Sequence, residues 1–153
     1  LYAHEVLGLD ETRAAGFGAL TAYLRPLAAV AAGFAADRLG VARSVVGLFA
    51  LLVLVYAALA LMTGAHVVPW LVYANLAVSS AAVFALRGVY FALLEEARIP
   101  SHATGTAVGV VSLVGFTPDI FFAAIAGRLL DAAPGAAGHR HYFVLLAGIA
   151  IIG

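Results

Sequence analysis

Long apolar runs alternate along this chain with short connectors that carry charge or helix breakers. The runs cover Ala15–Ala36, Ser44–Thr63, Val67–Leu93 and Thr104–Leu129 and resume at Tyr142. Between them stand Gly8–Arg13, Asp37–Gly40, Gly64–His66, Glu95–Ser101 and Asp131–Gly135. Val45–Met62 holds no charged side chain, and a helix rising ~1.5 Å per residue there approaches the ~30 Å thickness of bilayer hydrocarbon. The runs are continuously apolar and do not alternate at every second residue. They therefore predict helices, which satisfy their own backbone in lipid, and not the strands of a membrane barrel. A short apolar stretch at Leu1–Val6 predicts the tail of one more helix. The expected fold is all-α, a multi-pass transmembrane helical bundle, with no separate soluble domain.

Composition strengthens this picture. Of 153 residues, 65% are apolar and 10% charged, with a mean hydropathy of +1.08; soluble domains carry about 25% charged residues. Cysteine is absent, which excludes disulfides. The first residue is Leu, and the last apolar run reaches Gly153 while still hydrophobic, so a piece of a larger membrane protein is expected. Arginine does not reveal orientation: Arg38, Arg43 and Arg98 fall on one side of the expected bundle and Arg13, Arg128 and Arg140 on the other.

Three charged residues lie well inside the runs: Arg25, Arg87 and Asp119. Each costs about 2.5–3.5 kcal/mol to insert, so such groups face a bundle interior or a wet cavity. Arg25 precedes Asp37 by twelve residues and Asp119 follows Thr104 by fifteen, or ~18 and ~22 Å from one membrane face. The two are expected near the midplane, with Arg25 turned inward. Each adjoins a proline, in Arg25-Pro26 and Pro118-Asp119. Proline frees the carbonyl four residues back, here that of Ala22 or Val114, and tends to kink its helix. Paired interrupted helices at corresponding places in two repeats point to a transporter's binding site. The alternative is an Arg–Asp pair that only pins helices. Arg87 is ~12 Å from Glu95 along a helix and could instead snorkel toward that acidic loop.

Further chemistry is sparse. Ser79, Ser80 and Thr117 could hydrogen-bond a polar substrate or simply pack helices. Gly105 and Gly109 have the spacing that admits a neighbouring backbone. His139 and His141 stand two apart in a Gly-rich loop with no carboxylate to complete a metal set. His4, His66 and His102 lie near the ends of runs, and Glu95-Glu96 reads as a solvated pair. No nucleotide, metalloprotease or hydrolase motif occurs. No enzymatic step, cofactor, metal or nucleic-acid partner is expected.

One stretch is more specific. Gly33-x-x-x-Asp37-Arg38-x-Gly40-x-x-Arg43, which closes one run and opens the next, resembles the signature hairpin of the major facilitator superfamily. The remaining layout is similar to the C-terminal half of that fold, from the end of helix seven to the start of helix twelve. The resemblance implies that helices eight, ten and eleven line a translocation cavity, that nine and twelve face outward, and that the Asp37–Arg43 hairpin is cytoplasmic. Arg25-Pro26 ahead of the hairpin is similar to nitrate/nitrite porters, although Arg25 stands about one turn further from the hairpin than their arginine. Arg87-Gly-Val-Tyr90, Thr104–Gly109 and Thr117-Pro118-Asp119-Ile120 resemble a bacterial subgroup of nitrate/nitrite-type or generic facilitators. The implied function is secondary transport of a small solute, preferably an anion, by alternating access in the inner membrane. Arg25, Arg87, Asp119, Thr117 and Ser79 would form the substrate site, and Gly33, Asp37, Arg38, Gly40 and Arg43 a conformational latch. The partners would be the bilayer, the anion, a proton or counter-ion, and the N-terminal half of the same protein. A proton-coupled sugar or carboxylate transporter and a non-transporting sensor or scaffold remain alternatives.

Overall fold

The computed structural model describes residues 10–63, 69–97, 99–133 and 135–152. The expectations for Leu1–Val6, for the Gly64–His66 connector, and for Arg98 and Pro134 lie outside them. So do the side chains of Arg13, Glu95, Glu96, Pro118 and Asp119, whose backbone is helical.

The described residues are helical: α1 (Glu11–Leu39), α2 (Val41–Met62), α3 (Pro69–Glu96), α4 (Thr104–Ala132) and α5 (Ala136–Ile152), with a 3-10 turn at Ser101–Ala103 before α4. Each of the five main runs became a helix, because an apolar backbone with no sheet partner closes its hydrogen bonds locally. Most helix ends lie about three residues beyond the apolar runs, and two starts moved further. α1 begins at Glu11, inside the stretch expected as a polar loop, and α5 begins at Ala136, six residues before Tyr142. Gly135, at φ 77°, completes the α4–α5 turn, and a Cβ on Gly138 would overlap the Ala133 carbonyl. The connector thus closes around small residues, and His139-Arg140-His141 joins the helix instead of a loop.

Between α1 and α2 a single residue turns the chain. Gly40 has φ 88° and ψ 145°, a conformation open essentially to glycine alone. Its N–H donates to the Ala36 carbonyl at 2.9 Å, and its own carbonyl accepts from the Ser44 N–H at 3.1 Å and the Ser44 hydroxyl at 3.0 Å. The hairpin is therefore hydrogen-bonded on both sides of its only non-helical residue.

Relative directions follow from paired contacts. A Cβ on Gly88 would meet the Ala29 Cβ at 3.3 Å, while four residues earlier on both helices Arg25 stacks on Phe84. α1 and α3 are thus parallel. α2 runs against both. Val41 packs with Ala85 and Val89, Leu52 with Ala82 and Ala150, and Leu59 with Val72 and Phe143, which makes α5 antiparallel to α2 as well. These three small cores span nineteen residues of α2, about 29 Å. α4 is peripheral, touching α5 and, along a shorter line, α3; α1 and α4 share no extended contact among the described residues.

The outer surface is apolar. Val46, Leu54 and Leu61 on α2 are 69%, 67% and 75% exposed. Val41–Met62 and Trp70–Val89 are long and apolar enough to cross a membrane, and only 22% and 28% of their most apolar stretches are buried. The core helix of a soluble protein would be mostly covered; these helices present bare aliphatic flanks that lipid would satisfy.

Candidate functional site

Arg25 projects from the side of α1 that faces α3. The exposed aliphatic and aromatic stripe of that helix is Tyr23, Leu27, Val30 and Phe34, and at ~100° per residue Arg25 lies about half a turn around from it. The residue is exposed, yet its guanidinium carbon sits 4.7 Å from the centroid of the Phe84 ring. Such a cation–π contact contributes about 0.5–1 kcal/mol at an exposed site. Phe84 was not legible as a site residue: its role appears only once the parallel register sets residue 25 against 84 and residue 29 against 88.

Arg87 occupies another face of α3. With Val83 and Leu86 it borders a cavity of about 550 Å³ that reaches Tyr56 on α2, Gly115 and Phe122 on α4 and Tyr142 on α5. The residue is half-buried. Arg87 follows Phe84 by three residues, about 60° around α3 from it, which places it within about 4.5 Å in depth of Arg25 on the neighbouring α1. Tyr56 and Tyr142 line the same cavity from two helices. Neither tyrosine stood out in the sequence, where both read as ordinary aromatic residues of apolar runs.

α4 runs through Pro118 without a break, as α1 does through Pro26. The Thr117 hydroxyl donates to the Leu113 carbonyl of its own helix, one residue from the Val114 carbonyl that the proline releases. No break in helical assignment occurs at either proline, and the Thr117 hydroxyl is turned back along its own helix. This is the usual way in which Ser and Thr supply local partners to a backbone in lipid. Asp119 belongs to that stretch of α4, a helix with no extended contact to α1 among the described residues.

Ser79 is buried, 7% exposed, and its hydroxyl donates to the Leu76 carbonyl at 2.9 Å; the Ser80 hydroxyl reaches the same carbonyl at 2.9 Å. Both hydroxyl protons are thus committed within α3. On the same helix, Oδ1 of Asn75 is buried with no hydrogen-bond donor among the described residues, an acceptor that did not stand out in the sequence. Buried amide oxygens carry a penalty of about 1–3 kcal/mol when left unmatched.

The expected close approach at Gly105 and Gly109 does not occur among the described residues, where a Cβ at either position would meet nothing within 4 Å. Gly88 makes the tight contact instead. His139 is 3% exposed whereas His141 is exposed; two residues apart on a helix they point ~200° from one another and cannot share an ion. No group of three or more His, Asp or Glu among the described residues could hold a metal. In the hairpin, Gly33, Asp37, Arg38, Gly40 and Arg43 are all exposed. Asp37 stands in the last turn of α1, where its charge opposes the helix dipole.

These features define an all-helical protein among the described residues, whose apolar flanks suit a membrane and whose two mid-helix arginines, Arg25 on α1 and Arg87 on α3, lie at similar depth. No family model matches the chain. It is similar to the inner membrane protein YqcE of Escherichia coli (strain K12), 41% identical over 70 residues, which is 46% of this chain and 16% of that protein. It is also similar to the inner membrane protein YihN of the same organism, 37% identical over 73 residues, 48% of this chain and 17% of that protein. The chain thus aligns with less than a fifth of the length of either relative. No solved structure matches. The relatives' location and the two apolar helices together support an inner-membrane location.

Proposed function

We propose that this chain is the C-terminal half of a secondary transporter of the major facilitator superfamily, crossing the inner membrane several times and moving a small anion by alternating access. The observation that carries the reading is Arg25: a cation in the middle of a long apolar helix, exposed, and steadied against Phe84 at 4.7 Å. Among the described residues no carboxylate neutralises it. A guanidinium so placed cannot be left against lipid tails. A water-filled cavity that admits an anion removes the conflict, and a planar donor edge suits an oxyanion.

In this proposal Arg25 provides the main contact and Arg87, near the same depth, adds positive potential from the adjacent face of α3. Asp119 on α4 is the candidate coupling residue. Ser79 and Thr117 contribute only as acceptors or by local helix geometry, since each hydroxyl proton is given to a backbone carbonyl. The Gly33–Arg43 hairpin serves as the latch between two nearly balanced states. Alternation of helix direction from α1 through α3, the one-residue turn at Gly40 and the inner-membrane relatives support this arrangement. The test is a thermal-shift screen of the full-length protein against small inorganic and organic anions, sugars and neutral solutes. A ligand that binds the folded state raises the unfolding midpoint with concentration. Stabilisation by oxyanions supports the proposal; stabilisation by neutral sugars alone replaces it with the proton-coupled alternative, and silence toward every solute favours a sensor or scaffold.

A further inference from the structure

A second cavity, of about 450 Å³, opens between α1, α2 and α3 on the hairpin side of the fold. That volume is in the range of ligand pockets. Ala32 on α1, Gly47 on α2 and Ala81 and Ala85 on α3 form its walls, and apart from Arg43 and Ser44 its whole lining is apolar. It exists because three helices meet through small side chains while α1 and α2 diverge from the tight turn at Gly40. Ser44 adds no free proton, its hydroxyl being bonded to the Gly40 carbonyl at 3.0 Å. Arg43 is different. It is exposed, stands three residues from the polar turn, and forms no ion pair among the described residues.

The shape and the charge together specify an occupant. From Arg43 to Leu51, both of which line the cavity, is eight residues of helix, or about 12 Å. One leaflet of hydrocarbon is about 15 Å deep, half of the ~30 Å total. The groove is thus a leaflet-deep apolar channel with one guanidinium at its interfacial end. Exposed Leu54 and Val46 on α2 continue its outer wall onto the flank that suits lipid. We propose that it binds an anionic phospholipid, with the phosphate on Arg43 and one acyl chain laid along the alanines. Basic pockets between membrane helices near the interface hold anionic head groups, and an arginine fork meets a phosphate in two places. The inference needs the membrane location but not the transport reading.

The experiment uses the full-length protein and phosphatidylglycerol as the probe. The wild-type protein is reconstituted in phosphatidylcholine vesicles containing phosphatidylglycerol with a photoactivatable group on one acyl chain, illuminated, and mapped by peptide mass spectrometry. Labelling should concentrate on 28–35, 43–51 and 78–85. Labelling spread evenly over the exposed flanks of α2 and α5 overturns the proposal, as does equal labelling by the matching phosphatidylcholine probe. Variants then separate head group from chain. Arg43→Ala should weaken phosphatidylglycerol retention about fivefold in native mass spectrometry, since each basic residue near the surface is worth about 1 kcal/mol. Gly47→Leu should also displace the lipid, because a Cβ at Gly47 meets nothing within 4 Å and a larger side chain grows into open space. Loss with Arg43→Ala but not with Gly47→Leu would leave only a surface charge and contradict the groove. Loss with Gly47→Leu alone would mean an uncharged occupant and contradict the assigned chemistry. Excess inorganic phosphate should not compete; if it does, the chain contributes nothing and the proposal fails.

Discussion

Replacing Gly40 with alanine tests whether the hairpin is fixed by backbone geometry or by side-chain contacts. At φ 88° and ψ 145°, an L residue collides with its own backbone, and holding it in such a sparsely populated region costs about 1–3 kcal/mol. Space is not the issue, since a Cβ at position 40 would meet nothing within 4 Å. Gly33 is the control. It belongs to the same stretch and also has open space around it, but it sits inside α1, where alanine is favoured over glycine by about 0.5–1 kcal/mol. The two substitutions add the same methyl group and should move stability in opposite directions, by a combined difference of about 1.5–4 kcal/mol. Unfolding of the full-length protein in detergent, followed by helical circular dichroism and by loss of tertiary fluorescence, gives the comparison. Equal stability of the two variants would refute the claim that Gly40 carries the turn, and a Gly33→Ala loss as large as that of Gly40→Ala would point to contacts the structure does not contain.

Four further substitutions address packing, site and hairpin. Phe84→Leu removes the ring under Arg25 and should lower stability by no more than about 1 kcal/mol while weakening anion affinity severalfold in a titrated thermal-shift assay; unchanged affinity would detach the stack from binding. Gly88→Leu forces a side chain into Ala29, already 3.3 Å from a modest Cβ, and should cost about 1–3 kcal/mol by overpacking, whereas Gly105→Leu, with open surroundings in α4, should be neutral or stabilising by up to about 1 kcal/mol through helix propensity. Equal costs would remove the α1–α3 contact from the account. Asp37→Ala relieves an acid in the final turn of α1 and should leave stability unchanged or raised by up to about 1 kcal/mol, yet shift the inward/outward balance measured by interspin distances across the two halves. A collapse of substrate affinity with no change in those distances would contradict the latch.

The helices were legible because a membrane chain writes them plainly: Val45–Met62 cannot be anything but helix in lipid. Their ends were less so. The start of α5 was hidden by a glycine-rich stretch that reads as loop, and only the contact of Gly138 with the Ala133 carbonyl explains why those glycines begin a helix. Arg25 and Arg87 could be singled out by cost alone, since a guanidinium in an apolar run is an anomaly that needs a partner. What they touch could not. Phe84 is one apolar residue among many until the parallel pairing of α1 with α3 is known, and Gly105-x-x-x-Gly109 has the same spacing whether or not a neighbour exists. Pro118 could be found in the sequence, but neither the continuation of α4 past it nor the bond from the Thr117 hydroxyl to the Leu113 carbonyl could be read there.

Counterflow exchange in proteoliposomes is the most direct test of the central claim that Arg25 binds a transported anion. The full-length protein and its Arg25→Lys variant are reconstituted side by side, with folding checked by unfolding midpoint, and loaded with each oxyanion that stabilises the wild type. Wild-type vesicles should exchange labelled anion against internal anion. Arg25→Lys, which keeps the charge but loses the planar fork and its stack on Phe84, should exchange at least tenfold more slowly, the equivalent of about 1.4 kcal/mol. Exchange at the wild-type rate by a folded Arg25→Lys protein would contradict direct anion binding, and no exchange of any solute by the folded wild type would contradict transport itself.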